Sequence, residues 1–129
     1  MLLVTALYAS LLGLYFVWLS ARVTRARRIH KVPLGTPHRL VERAARAQGN
    51  FAEYVPLALI LLALGEINGV PDWALHVFGT LLVAGRVIHA TGISSEPEDF
   101  RLRVFGIALT FTVILFASAA LLGFTLRAL

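Results

Sequence analysis

The chain has 129 residues, of which 58% are hydrophobic and only 15% charged; soluble domains run at roughly 45–50% and 25%. That length allows one domain, the small polar fraction excludes a disordered chain, and the absence of cysteine excludes disulfides, thiolate zinc sites and a cysteine nucleophile. A net charge of +5 raises the question of nucleic acid, which the positions of the cations answer. The remaining class is a small integral membrane protein.

Met1 to Ala21 carries no charged side chain, which meets the ~20 residues needed to span about 30 Å of hydrocarbon. A cleaved signal peptide would have a basic n-region and a shorter apolar run. Here the cations follow the apolar run, so the segment reads as a retained first helix, approximately 1–24. Thr36-Pro37 reads as a helix start, with Thr as N-cap and Pro at the first helical position. A helical pattern then continues over 37–66, interrupted only by Pro56, which removes a backbone hydrogen bond and is expected to bend or loosen the helix. At 1.5 Å per residue this segment is ~45 Å long and outreaches the bilayer, so its basic first turns project into water.

Asn68-Gly69 and Pro71 mark a short turn. A third apolar segment covers approximately 72–92, with Arg86 late in it. Ser95-Glu96-Pro97-Glu98 reads as a capping box opening a fourth helix over 96–127, and Val104 to Leu126 is free of charge. The expected fold is an all-α membrane protein, a four transmembrane helix bundle, in a single domain over 1–129. Gly13, Gly65, Gly79, Gly85, Gly106 and Gly123 are expected to allow close helix approach. Tyr15, Trp18 and Trp73 fall where interfacial aromatic residues sit.

Eight of the 12 Lys and Arg residues lie between Arg22 and Arg46. The positive-inside rule makes this 22–46 loop cytoplasmic and, with four spans, puts both termini outside. The basic run is therefore a topology signal, with no nucleic acid implied; anionic lipid headgroups are a secondary use. His30 and His38, inside it, are expected to be solvated.

Charge inside a membrane helix is expensive and marks functional candidates. Arg39, Arg43, Arg46, Asn50 and Glu53 follow one another at intervals of 4, 3, 4 and 3, so they form one stripe about 80° wide on helix two. Arg86 and His89 lie near the cytoplasmic end of helix three, and Arg101 and Arg103 open helix four at that end. Three helices thus bring charge to the cytoplasmic half of the bilayer. Glu53 paired with Arg46, Arg86 or another Arg would lock the bundle, but one carboxylate cannot neutralise several arginines. The surplus calls for an anionic ligand, and a molecule with carboxylates and one amine matches the inventory. Tyr54 leans about 100° off the stripe, towards a neighbouring helix. His76 reads as packing or interfacial. No spacing makes a metal site, and no Gly-rich phosphate loop or Ser nucleophile elbow is present.

The segment Arg46-Ala47-Gln48-Gly49-Asn50-Phe51-Ala52-Glu53-Tyr54-Val55-Pro56-Leu57 resembles the hallmark of the membrane-associated proteins in eicosanoid and glutathione metabolism, the MAPEG family, in its bacterial branch. Four spans, a basic first loop and the Arg late in helix three extend the resemblance over nearly the whole chain. It implies a MAPEG-like homotrimer, in a bacterial inner membrane, that holds glutathione between subunits as co-substrate. Mapped by motif, Arg46, Asn50, Glu53, Tyr54 and Arg86 would contact glutathione, with His89 at a position held by tyrosine in the eicosanoid-producing branch. In that branch an Arg opening helix four activates the thiol. An ungapped count lands here on Phe100, so Arg101 or Arg103 takes the part. The implied activity is a glutathione-dependent transferase or peroxidase acting on hydrophobic, lipid-like or xenobiotic electrophiles from the bilayer. The alternative is a non-catalytic, degenerate MAPEG-fold protein binding another small anion. A small multidrug exporter is disfavoured because helix one has no acidic residue.

Overall fold

A computed structural model describes residues Met1–Leu129. Each charge-poor run is helical, because a backbone in hydrocarbon satisfies its polar groups only through internal bonding. The elements are α1 (Leu3–His30), α2 (Arg39–Ile67), α3 (Asp72–Ser94) and α4 (Phe100–Ala128), all four long and apolar enough to cross a membrane. α2 and α3 form the centre. α1 packs on both, α4 packs on both, and α1 and α4 do not meet. The core runs through Leu12, Leu19, Phe51, Leu62, Leu82 and Val113.

Helix limits differ from expectation where charge meets backbone. α1 continues beyond residue 24, through the arginines, to His30. Arg27, Arg28 and His30 occupy its last turn, where cations favour the negative end of the helix dipole. Lys31 takes the left-handed conformation (φ 54°), and the Lys31 and Val32 amides close on the Arg28 and Arg27 carbonyls, a Schellman-type stop. The expected 22–46 loop is therefore two basic helix ends joined by a short connection over 31–38. α2 begins at Arg39 and not at Pro37. Its cap is His38, whose Nδ1 accepts from the Leu40 amide at 3.2 Å. His30 stacks on His38 at 3.6 Å between ring centroids, so the two are partnered and not simply solvated.

The Ser95–Glu98 capping box does not form. Pro97 disfavours helical geometry at the residue before it, and α4 starts after Asp99, whose carboxylate accepts from the Leu102 amide at 3.0 Å. Glu96 and Glu98 are thereby free to meet arginines. α2 remains one helix through Pro56.

The close approach that matters is α3 against α4. A Cβ on Gly85 or Gly106 would press into the other helix's backbone, and one on Gly92 into Arg103 and Asp99. Gly79 instead faces the Tyr8 ring, while Gly13 and Gly123 face open space and play no part in packing within the chain. At the end carrying both termini, the Glu66 carboxylate accepts from the Val4 amide at 3.0 Å and the Thr5 amide at 2.8 Å. It caps α1, which has no side-chain cap of its own, and satisfies donors that a helix start leaves open.

Candidate functional site

The stripe on α2 survives as one face at the basic end, but its members meet different partners. Arg39 contacts Glu96 at 2.5 Å, and Arg43 lies 3.5 Å from the same carboxylate while donating to the Ser95 carbonyl. These pairs tie the start of α2 to the connection between α3 and α4. Arg46 and Glu53 lie 3.8 Å apart, with both side chains more than half exposed, so this pair is a loose one. Glu53 therefore goes to Arg46 and leaves Arg86 without a carboxylate.

Arg86 is 1% exposed. Its Nη2 donates to the Asn50 carboxamide oxygen at 2.8 Å, which joins α3 to α2. Its Nε and Nη1 are buried with no hydrogen-bond partner. Tyr15 on α1 and Tyr54 on α2 are within electrostatic reach of the guanidinium, but neither is a counter-ion of the kind a buried cation ordinarily requires. Tyr54 makes an edge contact with Phe111 of α4, at 5.3 Å between centroids. One turn beyond Arg86, the buried His89 places Nδ1 2.9 Å from the Arg103 carbonyl. Since a carbonyl only accepts, Nδ1 carries the hydrogen, and Nε2 is left with a lone pair and no partner. Gly106, against the His89 backbone, is what lets α3 come so near α4.

The two arginines that open α4 separate clearly. Arg103 contacts Glu98 at 2.6 Å. It also lines a cleft of ≈ 370 Å³ with Arg39, Glu42, Arg43, Arg46, Ile93 and Glu98. Arg101 is exposed and makes none of the ion pairs or side-chain hydrogen bonds found at this end. Arg46 and Arg103 thus share the cleft, while Arg86 and His89 are buried on α3 and the half-buried Asn50 is tied to Arg86. Glu53 and Tyr54 flank these on α2. The sequence reading overlooked Glu42 and Glu98 as cleft carboxylates. Glu42 is legible afterwards, because it precedes Arg46 by four residues and shares its helix face; Glu98 was read only as a capping residue.

The cleft is amphoteric, with four guanidinium groups and two carboxylates. Such a lining suits a ligand carrying both signs of charge better than a simple anion. A second, apolar groove of ≈ 300 Å³ runs between α1 and α2, lined by Ala9, Leu12, Gly13, Phe16, Phe51, Ala52, Val55, Pro56 and Leu59. Its Phe51 and Ala52 immediately precede Glu53.

Comparison with known proteins gives the family to which this bundle belongs. The model of the MAPEG family matches residues 5–123. The chain belongs to the MAPEG family. It is 35% identical over 114 residues to the inner membrane protein YecN of Escherichia coli K12, an alignment covering 88% of this chain and 86% of YecN. YecN of Escherichia coli O6:H1 strain CFT073 gives the same figures. The MAPEG protein described here is an integral, multi-pass membrane protein built as a four-helix bundle.

Proposed function

We propose that this MAPEG protein binds glutathione as co-substrate at the basic end of the bundle and transfers it to, or uses it to reduce, hydrophobic electrophiles in the membrane. The carrying observation is Arg86, a buried guanidinium with two unpartnered nitrogens and no carboxylate, at the same end of the bundle as a cleft of mixed charge. Glutathione has two carboxylates, one ammonium and a thiol. Arg46 and its neighbours along the stripe match the carboxylates, Glu53 matches the ammonium, and Asn50, Tyr54 and His89 supply the remaining polar contacts.

A thiol attacks as its thiolate, and a nearby guanidinium lowers the thiol pKa from about 8.5 towards neutrality. Arg103 suits this role better than Arg101 because it lines the cleft. Having no cysteine, the protein takes its sulfur nucleophile from the co-substrate. The apolar groove beside Phe51 and Ala52 offers an electrophile a lateral route from the bilayer. In transfer, the sulfur electron pair forms the new S–C bond as the leaving group departs with its own pair.

Arg46 and Glu53 are each more than half exposed, and Glu53 lies inside the hydrophobic stretch, a costly place for bare charge. A homotrimer, as the family resemblance implies, would cover them. A bacterial inner membrane, with the basic end cytoplasmic, is the setting we assign.

One observation favours a second reading: the Arg103 guanidinium is already held by Glu98 at 2.6 Å, as expected of a site that binds a small anion without catalysis. Thermal unfolding in detergent with millimolar glutathione decides binding. A rise in Tm is expected for the wild type and is lost in Arg46→Ala and Glu53→Ala; the absence of any rise in the wild type refutes both glutathione assignments. Conjugation of a generic aromatic electrophile should fall at least tenfold in Arg103→Ala and remain in Arg101→Ala. Binding with neither conjugation nor reduction of a lipid hydroperoxide in the wild type selects the non-catalytic reading.

A further inference from the structure

The chain has 7 acidic side chains, and all but two of them lie at the basic end. Glu66 and Asp72 lie at the other end, where Glu66 caps α1. Of the rest, Asp99 caps α4, Glu53 is loosely paired with Arg46, and Glu42 forms no ion pair. Glu96 is held by two cations, Arg39 and Arg43, and so anchors the connection between α3 and α4 to α2. Glu98 differs from all of these. It contacts Arg103 alone, with Nη1 donating to Oε1 at 2.6 Å.

The backbone around this pair is fixed, and the side chains are not. The Asp99 amide, next to Glu98, donates to the Gly92 carbonyl of α3 at 3.1 Å. The Arg103 carbonyl accepts from His89 Nδ1 at 2.9 Å, and a Cβ on Gly92 would meet the Arg103 amide nitrogen. Both side chains, by contrast, line the cleft, with Arg103 41% and Glu98 30% exposed. A one-point contact at such exposure is weak enough to exchange, and the guanidinium has further donors with which to take a new partner. No helix has to move. While the carboxylate stays, however, the neutralised guanidinium does little to stabilise a second anion.

We propose that Glu98 is the counter-ion of Arg103 in the empty site and is displaced when the thiolate of the bound co-substrate takes its place on the guanidinium. This rests on the glutathione reading above and gives control of its thiol to Glu98. In the step, the S–H bond breaks, the sulfur keeps the electron pair, and the proton passes to water. The thiolate then accepts the charge-assisted hydrogen bond that Glu98 gives up, and the freed carboxylate turns into the open cleft. Glu98 acts through Arg103 and is a positioning residue. Ionisation is thereby coupled to seating, because only a sulfur held against Arg103 can compete with a carboxylate tethered five residues away.

The test measures the Kd of glutathione and of S-methylglutathione for the full-length protein in detergent by titration calorimetry. The methylated ligand keeps both carboxylates and the ammonium but forms no thiolate. Glu98→Gln retains an acceptor for the Arg103 nitrogen and removes only the competing charge. An opposite charge at this range favours an ionised group by roughly one to three pKa units, and partial exposure puts this pair at the low end. Glu98→Gln should therefore bind glutathione about tenfold more tightly and S-methylglutathione as the wild type does, while Glu98→Asp should return the ratio towards wild type. Equal tightening of both ligands would mean that Glu98 competes with a ligand carboxylate. Weakening of both would make Glu98 a contact of the ligand itself, and no change in either would mean that it does not compete. Each of these overturns the proposal. A wild type that binds neither ligand refutes the glutathione reading as well, which separates the two failures. The wild type also gives a check that needs no variant: its preference for glutathione over S-methylglutathione should rise as pH approaches the thiol pKa of about 8.5. Glu42 and the arginines that face the pair from α2, and His89 from α3, act on both ligands alike and cancel in that ratio. A preference that does not change with pH overturns the proposal.

Discussion

The two ends of the bundle treat their polar groups in opposite ways. At the end bearing the termini, Glu66 gives its carboxylate to two open amides of α1. The Tyr8 hydroxyl there, 3.0 Å from each of three polar atoms of His76 and Thr80, is fully engaged. At the basic end, Arg86 leaves two nitrogens unpaired, and His89 Nε2 and Ser94 Oγ are likewise buried without partners. Thr5 Oγ1 is the one comparable orphan at the other end. Buried donors and acceptors are ordinarily paired. An end that satisfies them serves structure, and the end that leaves a guanidinium open is the one to which we assign the ligand.

The largest effect should come from removing the close approach that positions the receiving end. In Gly106→Ala the added methyl meets the backbone of Gly85 and His89, which cannot swing aside as a side-chain tip would. α3 and α4 must separate, and the His89–Arg103 contact is lost with them. Overpacking costs about 1–3 kcal/mol where side chains can adjust, and more is expected here. Loss of a folded, monodisperse protein in detergent, or a Tm fall exceeding that of the other variants below, is the expected result. A near-wild-type Tm would show that α3–α4 contact is not what holds this end together.

Much of this was legible in the sequence. Four charge-poor runs fix four spans because hydrocarbon permits little else, and the spacing of Arg39, Arg43, Arg46, Asn50 and Glu53 gave the stripe from helix geometry alone. Helix ends were less legible. Arg22 to His30 reads as loop because charge suggests water, yet arginines are good helix formers and the C-terminal dipole welcomes them. Pairing was the least legible. Nothing local tells that Glu53 goes to Arg46, that Asn50 serves Arg86, or that Arg103 and not Arg101 turns into the cleft. Those outcomes depend on how α2, α3 and α4 meet, which glycine positions set only in three dimensions. Glu66 is the clearest omission. Its amide donors lie more than sixty residues away, and no spacing rule reaches that far.

A smaller effect should follow from Glu66→Ala, which opens the amides of Val4 and Thr5. Loss of a cap costs about 1–2 kcal/mol, so thermal unfolding should occur a few degrees lower. If the two ends are as separate as their chemistry implies, the Tm rise on adding glutathione should be unchanged. A loss of that rise would mean that α1 transmits strain along its whole length and would remove the contrast between the ends.

The smallest change tests the finished end most directly. A phenol has one hydrogen. With it given to the His76 carbonyl, the Tyr8 oxygen accepts from His76 Nδ1 and from the Thr80 hydroxyl. His76→Ala removes only the first of these acceptances, because the carbonyl belongs to the backbone and Thr80 remains. Tyr8 would still donate to the backbone carbonyl of residue 76, and its oxygen would still accept one bond, so no orphan is created. A hydrogen bond lost without leaving an unsatisfied group costs about 0.5–1.5 kcal/mol, and the exposure of the His76 ring puts this case at the low end. The expected outcome is a Tm within a degree or two of wild type and an intact glutathione response. A large fall in either would mean that the imidazole does more than complete the Tyr8 cluster, and that this end too holds a group in reserve.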